Sequence, residues 1–175
     1  MKINIFKGDI TGLDFDLIVN PSNQQLSAKP GISEKIFTVG GPQLEEACRQ
    51  LHGCPVGQAR MTLGYDLPCV AVIHAVGPVY QDGQQNEEKY LEAAYWNSMS
   101  LAYDFMRKNR LDQVTLAFPC IAVEEGYPRQ EACQIAVRTI RNILTTYQRA
   151  YGIHVIFICD QQEDYLLYKK ELSLR

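Results

Sequence analysis

The segment most informative about the fold is Asp16-Leu17-Ile18-Val19-Asn20-Pro21-Ser22-Asn23. Its apolar residues follow one another without alternation, which is typical of a central strand covered by helices on both sides. The Asn-Pro-Ser-Asn segment that closes it has the composition of a turn. The stretch therefore predicts a buried strand that ends in polar side chains.

Strand-like and helix-like patterns alternate on both sides of this stretch. The predicted strands cover residues 3–6, 16–20, 59–63, 71–76, 114–118 and 154–159. Apolar residues recur at helical spacing over residues 42–51, 87–109, 129–147 and 162–173. This order predicts a three-layer α/β/α sandwich with a largely parallel or mixed sheet. Ligands of such sheets bind beyond the carboxyl ends of the strands, which directs attention to the loops at residues 20–31, 77–83 and 119–128.

The composition narrows the class of protein. The chain has 175 residues and no linker or repeat, so we expect one domain spanning residues 1–175. Its net charge of −3 argues against a nucleic-acid or membrane-surface binder, although a few backbone N–H groups can still hold a small anion.

No signal-peptide core opens the sequence and its six cysteines form no CxxC pair, so a cytoplasmic protein with reduced thiols is expected. Cys48, His52 and Cys54 lack a second ligand pair, and we expect neither a metal nor a cofactor.

Polar residues at and near the predicted strand ends are candidates for ligand binding. Asp9, soon after the first strand, either caps local backbone N–H groups or accepts a hydrogen bond from an exocyclic amine such as that of adenine. Asn20 and Asn23 either satisfy the turn or bind ribose hydroxyls. His74 lies inside an apolar strand, where a hydrogen-bonded core histidine is more common than a catalytic one.

Seven motifs, taken in order along nearly the whole chain, resemble those of the macrodomain family, the ADP-ribose-binding module. They are GDIT, DLIVNPSN, GGPQLEEAC, CPVGQARMTLGYDLP, VIHAVGPVY, AFPCI and GYPRQEA. The likeness is closest to the branch that removes ADP-ribose from proteins or deacetylates O-acetyl-ADP-ribose. It implies a six- or seven-stranded mixed sheet between helices, with adenine near Asp9 and Ile10 and the distal ribose near Asn20 and Asn23. The implied partner is ADP-ribose or a related nucleotide, free or attached to an ADP-ribosylated protein.

The first loop departs from the family pattern. Where the family has a run of glycines, the chain reads Ala28-Lys29-Pro30-Gly31, and Ser33 stands at the position of the catalytic Asp. Pro30 has no N–H to donate, and each side chain in this run limits the approach of backbone to phosphate. The neutral hydroxyl of Ser33 cannot serve as a carboxylate base, and capping of the following helix is an alternative role for it.

The second loop, Ala122-Val123-Glu124-Glu125-Gly126, is one residue shorter than in the family and carries two carboxylates. Carboxylates near a diphosphate repel it, at about 1 kcal/mol per close pair in water and several times more in a drier site. Lys29 offsets one of these charges if it points inward. The family's aromatic residue that packs on the distal ribose is lost unless Tyr127 replaces it. The residues expected at the ligand are therefore Asp9, Ile10, Asn20, Asn23, Gly31, Ile32, Ser33, Ala122, Val123, Glu124, Glu125, Gly126 and Tyr127.

Three functions remain open at this point. A binding module for ADP-ribose or a related nucleotide, with weak or no catalysis, needs the fewest assumptions. A hydrolase acting on ADP-ribosyl esters needs Asn23 together with a substitute carboxylate, for which Glu34, Glu124 and Glu125 are the candidates. The third is a scaffold or protein-interaction role with a degenerate pocket, because a fold persists when its site is lost. Glu124 and Glu125 also suggest a preference for a less charged ligand, such as a nucleoside or an acylated ribose.

Overall fold

A mixed sheet with helices on both faces organises residues 3–174, the part of the chain that the computed structural model describes. The strands are β1 (Ile3–Lys7), β2 (Leu17–Ser22), β3 (Ala59–Leu63), β4 (Ala71–Val76), β5 (Val114–Phe118) and β6 (Ile153–Cys159). The helices are α1 (Ile32–Gln50), α2 (Glu87–Lys108), α3 (Arg129–Thr146) and α4 (Gln162–Ser173). The predicted α/β sandwich with a six-stranded mixed sheet is confirmed for these residues.

The strand order explains where a site can form. The sheet runs β1-β6-β5-β2-β4-β3, and every neighbouring pair is parallel except β3 with β4. Five parallel strands therefore end at one edge of the sheet, where loops rather than regular structure cover the backbone groups. This edge gathers the loops that begin at Gly8, Asn23, Gly77, Pro119 and Asp160.

The core is divided by the sheet into two apolar layers. All six residues of β2 are buried, as the unbroken apolar run predicts. Leu17 and Val19 point to the layer formed with α2, α3 and α4, whereas Ile18 points to the layer formed with α1. This alternation follows from the two-residue period of a strand and holds β2 rigidly between the helices.

Helix α1 corrects one sequence-based expectation. A helix was expected over residues 42–51, but the helix runs from Ile32 to Gln50 and is broken at Gly41, where φ is 79° and ψ is −177°. Pro42 follows the break and begins the second half, because proline is tolerated where no N–H bond is needed. The predicted segment is therefore only the second half of α1, and the first half carries residues of the candidate site.

Within residues 3–174, none of the helices has the length and apolar character that crossing a membrane requires.

Candidate functional site

A small cavity lies at the carboxyl edge of the sheet, between β1, β6 and the start of α1. It is lined by Gly8, Asp9, Ile10, Ile32, Lys35, Pro119, Ile158 and Asp160. Three of these residues, Asp9, Ile10 and Ile32, were predicted at the ligand. We call this cavity the nucleoside end, since the resemblance places adenine beside Asp9 and Ile10. By groove we mean the sheet edge that includes this cavity and the loops at residues 28–32 and 122–126.

Asp9 is held in place by a turn and still offers an acceptor. Its Oδ1 accepts hydrogen bonds from Thr11 N–H at 2.9 Å and from the Thr11 hydroxyl at 2.7 Å. These bonds, first that of the hydroxyl and then that of the backbone, lower the pKa of Asp9, and the Lys35 ammonium adds to the effect. Its Oδ2 has no hydrogen-bond partner among the described residues. The exposed carboxylate is therefore ionised near neutral pH and can accept a bond from a ligand amine.

Asn23 occupies a turn in which both ends of its amide are used. Its Oδ1 accepts a hydrogen bond from Ser27 N–H at 3.0 Å, and its Nδ2 donates to the Ser27 hydroxyl at 3.1 Å. The carbonyl of Asn23 also accepts from Leu26 N–H at 3.1 Å. A ligand hydroxyl would have to compete with Ser27 for this side chain.

Asn20 lies in the sheet interior and not at the surface of the groove. It is fully buried on β2 and donates from Nδ2 to His74 Nδ1 at 3.0 Å, while its Oδ1 has no partner among the described residues. His74 Nε2 lies 2.9 Å from the Thr62 hydroxyl. Because Nδ1 accepts, we assign the ring proton to Nε2. Burial lowers the pKa of His74 to about 3, so the ring is neutral, and the prediction of a hydrogen-bonded core histidine is confirmed.

The first loop reaches the second loop at the start of α1. Gly31 has φ of 99°, a conformation that favours glycine, and the following Ile32 N–H donates to Glu124 Oε1 at 3.3 Å. A Cβ on Gly31 would lie 2.2 Å from that same oxygen, so only glycine lets the carboxylate lie this close. Lys29 forms an ion pair with Glu125, so its ammonium offsets one of the two carboxylates of the second loop.

The backbone of the second loop turns its N–H groups onto its own carbonyls. The N–H groups of Glu125 and Tyr127 both donate to the Ala122 carbonyl at 3.1 Å, and Gly126 N–H donates to the Val123 carbonyl at 3.2 Å. The loop contains a short 3-10 turn at Val123–Glu125, with Ala122 and Gly126 in the left-handed conformation on either side. These three N–H groups are therefore not free to bind an anion. We call the two loops together, residues 28–32 and 122–126, the loop end of the groove.

Two further predicted residues are buried away from the groove surface. Ser33 is fully buried, and its hydroxyl has no partner within residues 3–174. The expectation that it caps α1 is wrong, because Gly31 occupies the N-cap position and Ser33 is already inside the helix. The Tyr127 ring packs on Tyr80 with ring centroids 4.9 Å apart, and burial raises the pKa of Tyr127 to about 12. Tyr127 therefore belongs to the core and does not replace the missing stacking residue.

The three candidate carboxylates occupy different places. Glu34 is exposed in the first turn of α1, and Glu124 and Glu125 lie in the loop end. No hydrogen bond or ion pair in the described part of the chain joins any of them to Asn23. The Glu124 carboxylate thus lies at Ile32 N–H, directly before Ser33 in the chain, but no contact among the described residues joins it to Asn23.

Glu87 organises a loop that sequence reasoning missed. Its Oε1 accepts from the N–H groups of Gln81, Asp82 and Gly83, and its Oε2 accepts from Gln85 N–H at 2.6 Å. Burial alone would raise the pKa of Glu87, but these backbone bonds outweigh it and lower the pKa to about 2. The residue preceding this loop, Tyr80, donates its N–H to the Glu125 carbonyl at 3.0 Å. Glu87 thereby supports the loop end through the backbone.

Other missed residues line the nucleoside end. Asp160 follows the last strand, and Lys35 lies 3.9 Å from its carboxylate across the cavity. The position of Asp160 directly after a buried strand is the same signal that pointed to Asn20 and Asn23 and could have identified it. Lys35 has no comparable signal, because a lysine in the first turns of a helix is usually solvated.

The comparisons with known proteins agree with this geometry. A family model described as Macro domain matches residues 19–136. A protein named O-acetyl-ADP-ribose deacetylase from Escherichia fergusonii is 39% identical over 177 residues, covering 98% of this chain and 96% of that protein. The protein of the same name from Escherichia coli K12 is 41% identical, with the same coverage of 98% and 96%.

Solved structures extend the likeness to three dimensions. A variant of the Oceanobacillus iheyensis macrodomain with ADPR has a TM-score of 0.86 at 30% identity, covering 97% of this chain and 90% of that chain. The Trypanosoma brucei macrodomain in complex with ADP-ribose also has a TM-score of 0.86, at 32% identity, covering 98% of this chain and 69% of that one. The chain therefore belongs to the macro domain family.

Proposed function

We propose that the protein binds ADP-ribose or a related adenine nucleotide in the groove at the carboxyl edge of the sheet. The observation that carries this proposal is Asp9, whose ionised carboxylate is fixed by Thr11 and keeps Oδ2 for a ligand donor. Ile10 and Ile32 give the same cavity apolar walls that suit a flat base. The family relatives solved with ADP-ribose and with ADP support this choice of ligand.

Catalysis is proposed to be weak or absent. Ser33 carries a neutral, fully buried hydroxyl at the position where the resemblance places the catalytic carboxylate. Two of the three candidate carboxylates are already engaged, Glu124 with Ile32 N–H and Glu125 with Lys29.

The binding proposal is tested by calorimetric titration of ADP-ribose into the wild-type protein and the Asp9→Ala variant. Loss of the carboxylate removes a charge-assisted hydrogen bond, so we expect affinity to fall by about tenfold or more. Asp104→Ala serves as the matched control, since Asp104 is exposed on α2 away from the groove. Equal affinities for all three proteins would contradict the proposed ligand contact. No heat with ADP-ribose, AMP or adenosine would favour the scaffold role instead.

A deacetylase or ADP-ribosyl hydrolase is the second candidate, because relatives about 40% identical over nearly the whole chain carry the name O-acetyl-ADP-ribose deacetylase. It is tested by incubating the protein with O-acetyl-ADP-ribose and measuring released acetate. We expect release at the uncatalysed rate. Release well above that rate, lost in one of Glu34→Gln, Glu124→Gln or Glu125→Gln, would make the protein an enzyme and identify its carboxylate.

A further inference from the structure

We propose that Glu124 determines ligand specificity by placing a carboxylate of the chain itself at the start of α1, where it competes with a ligand diphosphate. The inference rests on the proposed function, since it concerns the loop end of the same groove. It predicts that the groove discriminates among adenine ligands by the charge that follows the nucleoside. The observations that carry it are the contacts of Glu124, Glu125, Lys29 and the second-loop backbone.

The start of α1 is the natural place for an anion in this groove. The first N–H groups of a helix have no partner inside the helix, and the helix dipole makes this end positive. Gly31 has no Cβ, which allows an anion to lie close to the backbone. The group found there is Glu124 Oε1, 3.3 Å from Ile32 N. A carboxylate from the second loop therefore stands where an anionic part of a ligand would otherwise bind.

Several other groups of the loop end that could bind an anion are also engaged. Lys29, the cation of the first loop, is paired with Glu125, and only 14% and 27% of the two side chains are exposed. The N–H groups of Glu125, Gly126 and Tyr127 donate within their own loop. Pro30 contributes no N–H. A diphosphate arriving at the loop end would therefore meet two carboxylates, a lysine that is already paired, and a second loop in which three N–H groups are already used.

Glu124 competes with a ligand anion for the start of α1 but does not close this position permanently. Glu124 is exposed, so its side chain can leave the helix start when a stronger anion arrives. The nucleoside end, centred on Asp9, shares Ile32 with the loop end but does not include either glutamate. Adenosine can therefore bind without displacing Glu124, whereas ADP-ribose has to displace it or lie beside its charge.

The test measures dissociation constants for adenosine, AMP and ADP-ribose with the wild-type protein and the Glu124→Gln variant. Removing one opposing charge is expected to strengthen the binding of ADP-ribose and of AMP, which carry similar negative charge near neutral pH, by about tenfold and to leave adenosine binding unchanged. Glu45→Gln is the matched control, because Glu45 is exposed on the far half of α1, beyond the break at Gly41. Thermal melting confirms that each variant is folded, and Glu124→Ala repeats the measurement without an amide at this position.

The outcomes separate this inference from the proposed function. Unchanged ADP-ribose affinity in Glu124→Gln and Glu124→Ala, with adenosine still bound, would overturn the role of Glu124 alone. Equal strengthening of all three ligands would also overturn it, because a charge effect has to scale with ligand charge. Failure of every ligand to bind either protein would overturn the proposed function and this inference together.

Discussion

The two ends of the groove use similar residues in opposite ways. At the nucleoside end, Asp9 is fixed through one oxygen and keeps the other for a ligand. At the loop end, Glu124 and Glu125 take up the helix N–H and the lysine that an anionic ligand would need. Which ligand groups a site can bind therefore depends on which of its polar atoms are left without a partner, and not only on which polar residues are present.

The largest loss of thermal stability is expected from Glu87→Gln. This change removes backbone hydrogen bonds that hold the loop next to the loop end, and it leaves the nucleoside end intact. The four backbone bonds to Glu87 need two acceptor oxygens, and glutamine offers only one. We expect a large fall in melting temperature at pH 7. Adenosine affinity should be retained below the new melting temperature.

The pH dependence of this loss has a defined sign. The pKa of Glu87 is lowered to about 2 in the folded protein, so its charge stabilises the fold above the ordinary glutamate pKa, and this stabilisation is lost as pH falls toward 2. Melting temperatures at pH 7, 5 and 3 should therefore show the gap between wild type and Glu87→Gln narrowing in acid. Glu88→Gln, at an exposed neighbouring position, is the control. A gap that stays constant with pH would contradict the assignment.

A smaller effect is expected from Gly31→Ala, which would break the contact between the two loops. An alanine would be strained at φ of 99°, and its Cβ would lie 2.2 Å from Glu124 Oε1. We expect the free energy of unfolding to fall by about 1–3 kcal/mol. Urea denaturation measures it, with Gly12→Ala as control because a Cβ there meets no atom within 4 Å. Adding Glu124→Ala should recover the part due to the contact, and no recovery would contradict the close approach.

Lys29→Met leaves Glu125 without its cation and is expected to change ligand binding at the loop end but not at the nucleoside end. ADP-ribose binding should weaken about threefold because the net charge of the loop end becomes more negative, while adenosine binding stays unchanged. The free energy of unfolding should fall by more than the roughly 1 kcal/mol that is typical of exposed pairs, because the mostly buried Glu125 carboxylate is left without its cation. Calorimetry with both ligands measures the difference, and Lys169→Met on α4 is the matched control. Equal weakening of both ligands would show a structural role for Lys29 instead.

The smallest effect is expected from Ser33→Ala. The hydroxyl is fully buried and has no partner in the described part of the chain, so removing it costs no hydrogen bond. Urea denaturation should show stability unchanged or raised by up to about 1 kcal/mol. Binding of adenosine and of ADP-ribose should not change. A clear loss of ADP-ribose affinity would mean that Ser33 reaches the ligand after all.

The fold was predictable because its strands are short apolar runs bounded by turn residues. Five of the six predicted strands lie within one residue of the observed ends, and β2 extends two residues further, through Pro21 and Ser22. A helix start near Ser33 was expected, but its continuation into residues 42–51 was not, since Gly40-Gly41-Pro42 has the pattern of a helix start and here marks a break inside a longer helix. Local sequence patterns identify single helices and strands well, but they do not show whether two helical segments form one longer helix.

The site was less predictable because it depends on contacts between distant segments. Asp9 was located by its place after a strand and Ile10 by the family resemblance, and both line the cavity. The contacts of Lys29 with Glu125 and of Ile32 with Glu124 join residues more than 90 positions apart, which no local pattern encodes. Glu87 was missed because an acidic residue at the start of a helix is common for its interaction with the dipole.

The break in α1 makes its two halves separate units for local opening. The helical backbone is interrupted at Gly41 and Pro42 has no N–H, so fraying of the half that carries Gly31 and Ile32 need not spread to the half that carries Leu44 and Cys48. Amide hydrogen exchange should then be faster before the break than after it. Ligands that take the place of Glu124 would slow exchange in the first half alone, so exchange rates in this half would report whether the loop end is occupied.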